Sequence, residues 1–248
     1  MAVPRTLLVT GAGRGLGRTI ALDLARCGWH LWLADIRDSA VQDTARRIVN
    51  AGGSASPLAV DISDPDAVAD LGRELQAAGP LHGLVNCAAL ADGVGGSPVH
   101  ELPLAEWDRV LSVNLRGSFL MLRMAAPLII AAGGGAVVNI GSDAATNGSA
   151  NLAHYITSKG GLAALTRAAA SDLGPHGVTV NTVSPGLTES ESAAKVPETR
   201  HEEYRRQRAL LRDQQPTDIT GVVRLLLSDE GSYITGQEIL VNGGFVFR

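Results

Sequence analysis

Apolar residues along this chain gather in short runs: TLLVT (6–10), HLWLAD (30–35), ASPLAV (55–60), GLVN (83–86), GAVVNI (135–140), VTVNTV (178–183) and EILVN (238–242). Runs this brief, rich in leucine and β-branched residues, predict strands covered on both faces. Between them, residues 16–27, 40–50, 65–78, 104–132, 152–173 and 216–227 carry the spacing or alanine content of helices. Strands alternating with helices of this length predict an α/β fold, a doubly wound parallel sheet of about seven strands. Helix punctuation agrees. Ser63-Asp64-Pro65 offers a cap with proline at the first helical position, and Pro216-Thr217-Asp218 opens another helix. No linker or low-complexity stretch divides the chain, so one domain is expected over residues 1–248. Residues 187–215 stand apart. They are densely charged, balanced in sign, and too long for a plain connection between the sixth strand and the last helix, which suggests a lid over a site.

Composition narrows the function classes. A formal net charge of −4 argues against a nucleic-acid partner, which needs clustered Lys and Arg. The two cysteines, Cys27 and Cys87, read as buried and have neither disulfide nor metal spacing, which points to a reducing compartment. The N-terminal apolar run is too short for a signal segment, and no stretch approaches the ~20 apolar residues of a membrane span. A cytoplasmic protein without a membrane partner is the expectation. No His/Cys/carboxylate grouping suggests a metal.

The stretch TGAGRGLG (10–17) follows the first strand and opens the first helix. Gly11, Gly15 and Gly17 allow a tight turn, close approach of a pyrophosphate, and packing of helix on sheet. Free amides and the dipole at the helix start favour the anion, with Arg14 and Leu16 in the same turn. Asp35 closes the second strand, 18 residues after Gly17. A carboxylate there accepts ribose hydroxyls and repels a 2′-phosphate, which predicts NAD over NADP. Arg14 and Arg37 pull the other way, and the carboxylate is expected to dominate.

Tyr155 and Lys159 stand four apart, on one helical face. An ammonium beside a phenol stabilises the phenolate, so the pair predicts a tyrosine lowered from ~10 toward neutrality. Ser142 ends the strand GAVVNI, where open α/β sheets bind ligands, and Asn114 is a polar residue in a core-like helix.

With these motifs in order, the chain resembles the short-chain dehydrogenase/reductase family essentially end to end. The resemblance implies a Rossmann-type sheet and a catalytic tetrad of Asn114, Ser142, Tyr155 and Lys159. In that scheme Tyr155 exchanges a proton with the substrate oxygen, and Ser142 hydrogen-bonds that oxygen. Lys159 holds the nicotinamide ribose, and Asn114 supports a water relay. The resemblance further implies cofactor contacts from Asp61 and Ile62 at the adenine, Asn86 and Ala88 after the fourth strand, and Pro185, Gly186, Thr188 and Ser190 after the sixth. It implies a homotetramer or homodimer, with YITGQEILVNGG as the closing, interface-forming strand. One motif departs: the family's N-N-A-G reads Asn86-Cys87-Ala88-Ala89.

Several tempting residues are left out of the site. His154 faces away from its neighbour Tyr155 on a helix, and Asp143 reads as a cap. Arg200, Arg205, Arg206, Arg208 and Arg212 read as surface pairs with interleaved acids, and Trp29, Trp32 and Trp107 as packing. The expectation is an NAD-dependent oxidoreductase interconverting a secondary alcohol and a ketone, with an apolar cyclic or aromatic substrate. The alternatives are an NADPH-dependent 3-oxoacyl-acyl-carrier-protein reductase and a non-catalytic dinucleotide sensor or scaffold.

Overall fold

The computed structural model describes residues 5–247; residues 1–4, part of the N-terminal run, lie outside them. The strands are β1 (Thr6–Thr10), β2 (His30–Asp35), β3 (Ser54–Ala59), β4 (Gly83–Asn86), β5 (Gly135–Ile140), β6 (Val178–Pro185) and β7 (Glu238–Val241). All pair in parallel, in the order β3-β2-β1-β4-β5-β6-β7. The chain winds outward from β1 to β3 and then returns to β4. That reversal opens a crevice at the carboxyl ends of β1 and β4, where such sheets bind ligands.

Nine α-helices complete the described chain: α1 (Gly15–Ala25), α2 (Asp38–Asn50), α3 (Pro65–Ala78), α4 (Leu104–Leu111), α5 (Ser118–Ala131), α6 (Ala144–Asn147), α7 (Ala153–Leu173), α8 (Glu198–Gln207) and α9 (Thr220–Leu227). Successive strand residues point to opposite faces. Leu7, Val9, Leu31 and Leu33 pack with residues of α1, α2 and α9, while Leu8, Leu84 and Val137 pack with residues of α3 and α5. Both faces are therefore dry, which is why the strands read as continuous apolar runs. Each fully buried leucine contributes about 1.5–3 kcal/mol.

The predicted start of α3 is present: the Asp64 side chain accepts from the backbone N–H of Asp66 (2.9 Å) and Ala67 (3.4 Å), with proline next in line. The other predicted start differs. Pro216–Asp218 forms a 3-10 turn closed by a Gln215/Asp218 capping box, and α9 begins only at Thr220. Cys27 is exposed, contrary to expectation, because it follows the end of α1.

One helical run, Leu104–Ala131, is long and apolar enough by length and composition to span a membrane, which the sequence reading did not anticipate. It is two α-helices joined by a π-helical segment, Ser112–Gly117. Leu120, Met121, Leu122, Ala125 and Ile129 of α5 bury themselves with core residues of the sheet and α3. Its apolar length reflects a core position.

Candidate functional site

The glycine turn is packed to the limit of what a backbone allows. Gly11 has φ +67°, and a Cβ there would lie 2.8 Å from the Cα of Ala88. At Gly17 a Cβ would lie 2.1 Å from the carbonyl oxygen of Gly11. Thr10 holds the β4 loop against this turn, its hydroxyl accepting from the amides of Cys87 (3.0 Å) and Ala88 (3.1 Å). Leu16 packs against the core from the start of α1. The backbone around Gly15 is thus pressed into the crevice with its amide outward, the cradle a pyrophosphate needs.

Asp35 is buried, 4% exposed, at the end of β2. Its Oδ2 accepts from the Gly13 amide at 2.9 Å; its Oδ1 accepts from the Arg37 amide at 3.0 Å and from Arg37 Nε at 3.1 Å. Arg14 is paired with Asp92. Both arginines that favour a 2′-phosphate therefore face carboxylates.

Other predicted cofactor contacts are placed around the same crevice, several with side chains committed elsewhere. Asp61 Oδ1 accepts from the Ser63 amide (2.9 Å) and hydroxyl (2.7 Å), and the Ile62 side chain is buried in the core. Asn86 is buried and donates to Asn139 Oδ1 (3.0 Å) and the Ser118 carbonyl (3.3 Å). Pro185 ends β6, and the Gly186 amide donates to Gln214 Oε1 at 3.1 Å. The Thr188 hydroxyl donates to the Gly186 carbonyl (3.0 Å), and Ser190 Oγ accepts from the Ala193 amide (3.2 Å). Gln214, buried at 5%, ties this segment to β7 through the Val241 carbonyl at 2.6 Å.

Three residues of the expected tetrad, Ser142, Tyr155 and Lys159, meet at the carboxyl end of β5, and Asn114 is linked to α7 through Ser158. The Tyr155 phenol hydrogen-bonds the Ser142 side chain. Lys159, 4% exposed, donates to the Ile140 carbonyl at 2.7 Å, its Nζ 5.9 Å from the centroid of the Tyr155 ring. Asn114 is fully buried in the π segment. Its Oδ1 accepts from the Leu90 amide (2.7 Å), and its Nδ2 donates to the Leu90 carbonyl (3.1 Å) and Ser158 Oγ (3.2 Å). Asn114 thereby joins the β4 loop to α7 through Ser158, a residue the sequence reading passed over. Nothing in a helical pattern marks a serine as a bridge.

The electrostatics correct one expectation. Burial pushes the Tyr155 phenol up to about 12, and its hydrogen bond to Ser142 opposes that rise only in part. Burial lowers the Lys159 amine to about 8, which leaves it mostly charged at neutral pH. Asp143 and Cys87 nearby push the phenol in the same upward direction as its burial. Cys87, where the family has asparagine, is pushed up to about 11 by burial and is a neutral thiol.

The segment after β6 folds over this end of the sheet. Tyr204 of α8 is buried, donates its hydroxyl to Asp143 Oδ1 at 2.9 Å, and stacks on Phe245 with centroids 3.9 Å apart. Asp143 makes no side-chain cap, contrary to expectation; burial raises it to about 6. Arg205 and Arg212 pair with acids, Arg205 with Glu198 (2.7 Å) and Asp213 (2.9 Å), Arg212 with Asp218 (2.6 Å). Arg208 is the exception to the surface reading. It is 3% exposed, donates to the Leu187 carbonyl, and lies 4.9 Å over the Tyr204 ring. His154 faces away from the site, to Glu106 at 3.2 Å.

Comparison with known proteins gives a consistent result. A family model described as "Enoyl-(Acyl carrier protein) reductase" matches residues 11–246. The chain is 34% identical to cyclohexanol dehydrogenase of Acinetobacter sp. (strain SE19), covering 98% of this chain and 96% of that one. It is also 34% identical to the 3-oxoacyl-acyl-carrier-protein reductase FabG of Staphylococcus aureus, over 98% and 99% of the two chains. A short-chain type dehydrogenase/reductase from Mycobacterium ulcerans superposes with a TM-score of 0.92 at 30% identity, covering 97% of this chain and 89% of that one.

Proposed function

Since the chain belongs to the short-chain dehydrogenase/reductase family of oxidoreductases, we propose that it interconverts a secondary alcohol and a ketone with NAD. The observation that carries this reading is the Tyr155 phenol bonded to Ser142 with the Lys159 ammonium beside it, at the end of the sheet that also holds the glycine cradle. That cradle, the Gly15 amide at the start of α1 and the buried Asp35 fit a dinucleotide. A bound nicotinamide supplies the site that donates or accepts hydride. Tyr155 gives its proton to the ketone oxygen in reduction and recovers it in oxidation. Ser142 donates a hydrogen bond to the same oxygen and fixes its position. Lys159 supplies positive charge that favours the phenolate as it forms. Asn114 keeps α7 and the β4 loop in register. Both Nδ2 hydrogens of its side chain are committed, to the Leu90 carbonyl and to Ser158 Oγ.

Asp35 is the determinant we assign to NAD. Asp35→Asn keeps an acceptor for the Gly13 amide and removes the charge. We expect the ratio of kcat/KM for NAD over NADP to fall at least about tenfold. An unchanged ratio would assign the preference elsewhere.

An apolar cyclic or aromatic substrate is the reading we favour, supported by the likeness to cyclohexanol dehydrogenase. Absorbance at 340 nm with NAD and NADP separately, over alicyclic, aromatic and acyl-thioester substrates, tests it. Turnover of cyclic alcohols with NAD supports the reading. Preferential NADPH oxidation with acyl thioesters would move the chain to the acyl-carrier-protein reductases. Dinucleotide binding with no turnover would make it a sensor.

A further inference from the structure

The place where a pyrophosphate would sit on α1 is taken by the protein's own lid. Glu191 Oε2 accepts from the Gly15 amide at 3.1 Å. Its other oxygen lies 3.7 Å from the guanidinium of Arg18, which is itself anchored to the Gly13 carbonyl through Nε at 3.1 Å. Gly15 has φ +52°, and a Cβ built there would lie 3.6 Å from the same carboxylate oxygen, so the acid rests directly on the glycine. The next lid residues reinforce the placement. Ser192 hydrogen-bonds Asp92, Lys195 lies 3.7 Å from it, and Asp92 also binds Arg14 of the glycine turn. An exposed amide at the start of an eleven-residue helix favours an anion, and the chain provides one from within.

We infer that Glu191 is an internal stand-in for the cofactor's phosphates, and that a dinucleotide binds only after this carboxylate has left the Gly15 amide. The inference rests on the dinucleotide reading above and adds to it a determinant of cofactor affinity. Two anions cannot share one amide at hydrogen-bonding distance. The apparent affinity is therefore the intrinsic affinity multiplied by the fraction of molecules with the seat vacant. The signature is kinetic. Removing the acid raises the rate of association and leaves dissociation unchanged, because the bound state never contains the Glu191 contact.

The experiment is stopped-flow and equilibrium binding of NAD to the full chain, to Glu191→Ala, which removes the acceptor as well as the charge, and to Glu202→Ala. Glu191 is half exposed, with 51% of its side chain accessible, so the substitution leaves the fold intact. Glu202 is an exposed acid of α8 and controls for the loss of one lid charge. We expect Glu191→Ala to tighten NAD binding about fivefold, nearly all of it in association, with Glu202→Ala at the wild-type value. An unchanged or weakened Kd in Glu191→Ala overturns the inference, as does an equal gain in Glu202→Ala or a gain confined to dissociation. Failure of all three proteins to bind NAD or NADP overturns the dinucleotide reading and this inference with it. Binding by all three with equal constants overturns the inference alone.

Discussion

Tyr155→Phe is expected to lower kcat by about 10²–10⁴-fold while NAD binding stays within about twofold of wild type. The change removes one oxygen and keeps the ring, so packing in this half-buried position is preserved. What disappears is the proton. With its phenol pushed up to about 12, Tyr155 of the free chain holds that proton throughout the neutral range, where the proposed reduction requires it. Ser142 remains in the variant and still donates a hydrogen bond to the substrate, which is why residual turnover is expected. Its half-exposed hydroxyl has no comparable means of delivering a proton, because the Lys159 ammonium lies beneath the tyrosine and is bonded to Ile140. Steady-state kinetics in both directions, with a separate measurement of NAD affinity, check this. Turnover close to wild type would remove Tyr155 from the chemistry, whereas equal loss of binding and turnover would make it a structural residue.

Gly17→Ala is expected to abolish measurable NAD binding and lower Tm by about 4–10 °C, the consequence of overpacking by about 1–3 kcal/mol. The added methyl would overlap the Gly11 carbonyl at 2.1 Å, a contact no rotamer relieves. Relief requires α1 and the turn to part. The turn has nowhere to go, because Gly11 is already against Ala88 and Thr10 clamps the β4 loop. Gly160→Ala is the internal control. A Cβ there meets nothing within 4 Å, and alanine suits the interior of α7 better than glycine by about 1 kcal/mol. Calorimetry on both variants, with NAD titration, separates the two. A stable Gly17→Ala protein that binds NAD normally would show that the glycine cradle has slack the packing does not reveal.

The strands were the most legible feature of the sequence. TLLVT, GLVN and GAVVNI each form a strand over their apolar run, and the polar residues these strands bury, Thr10, Asn86 and Asn139, are all hydrogen-bonded. The glycine turn, Asp35 and the order of Asn114, Ser142, Tyr155 and Lys159 were also visible, since each stands at a fixed place relative to a strand end or helix face. What remained hidden depends on distant parts of the chain. The phenol of Tyr155 was expected to be lowered by its neighbour, yet desolvation belongs to the whole fold and prevails in the free chain. Arg208 looked like one of five surface arginines; only the folding of α8 beneath Phe245 buries it. Glu191 looked like any acid in a charged loop, and its place on Gly15 joins residues 176 positions apart.

The π segment around Asn114 constrains how this part of the chain can vary. A wide turn holds one residue more than the α-helix it interrupts. Losing any single residue from 112–117 would let the run relax into regular helix with α4 and α5 still facing as they do, because the wide turn already absorbs the extra residue. Glu106 would stay against His154, whereas the Asn114 amide, carried by the wide turn itself, would no longer reach Leu90 and Ser158 together. Substitutions in this stretch are thus open to selection one at a time, whereas a one-codon deletion spares the helix seam and breaks the tie that Asn114 makes between the β4 loop and α7.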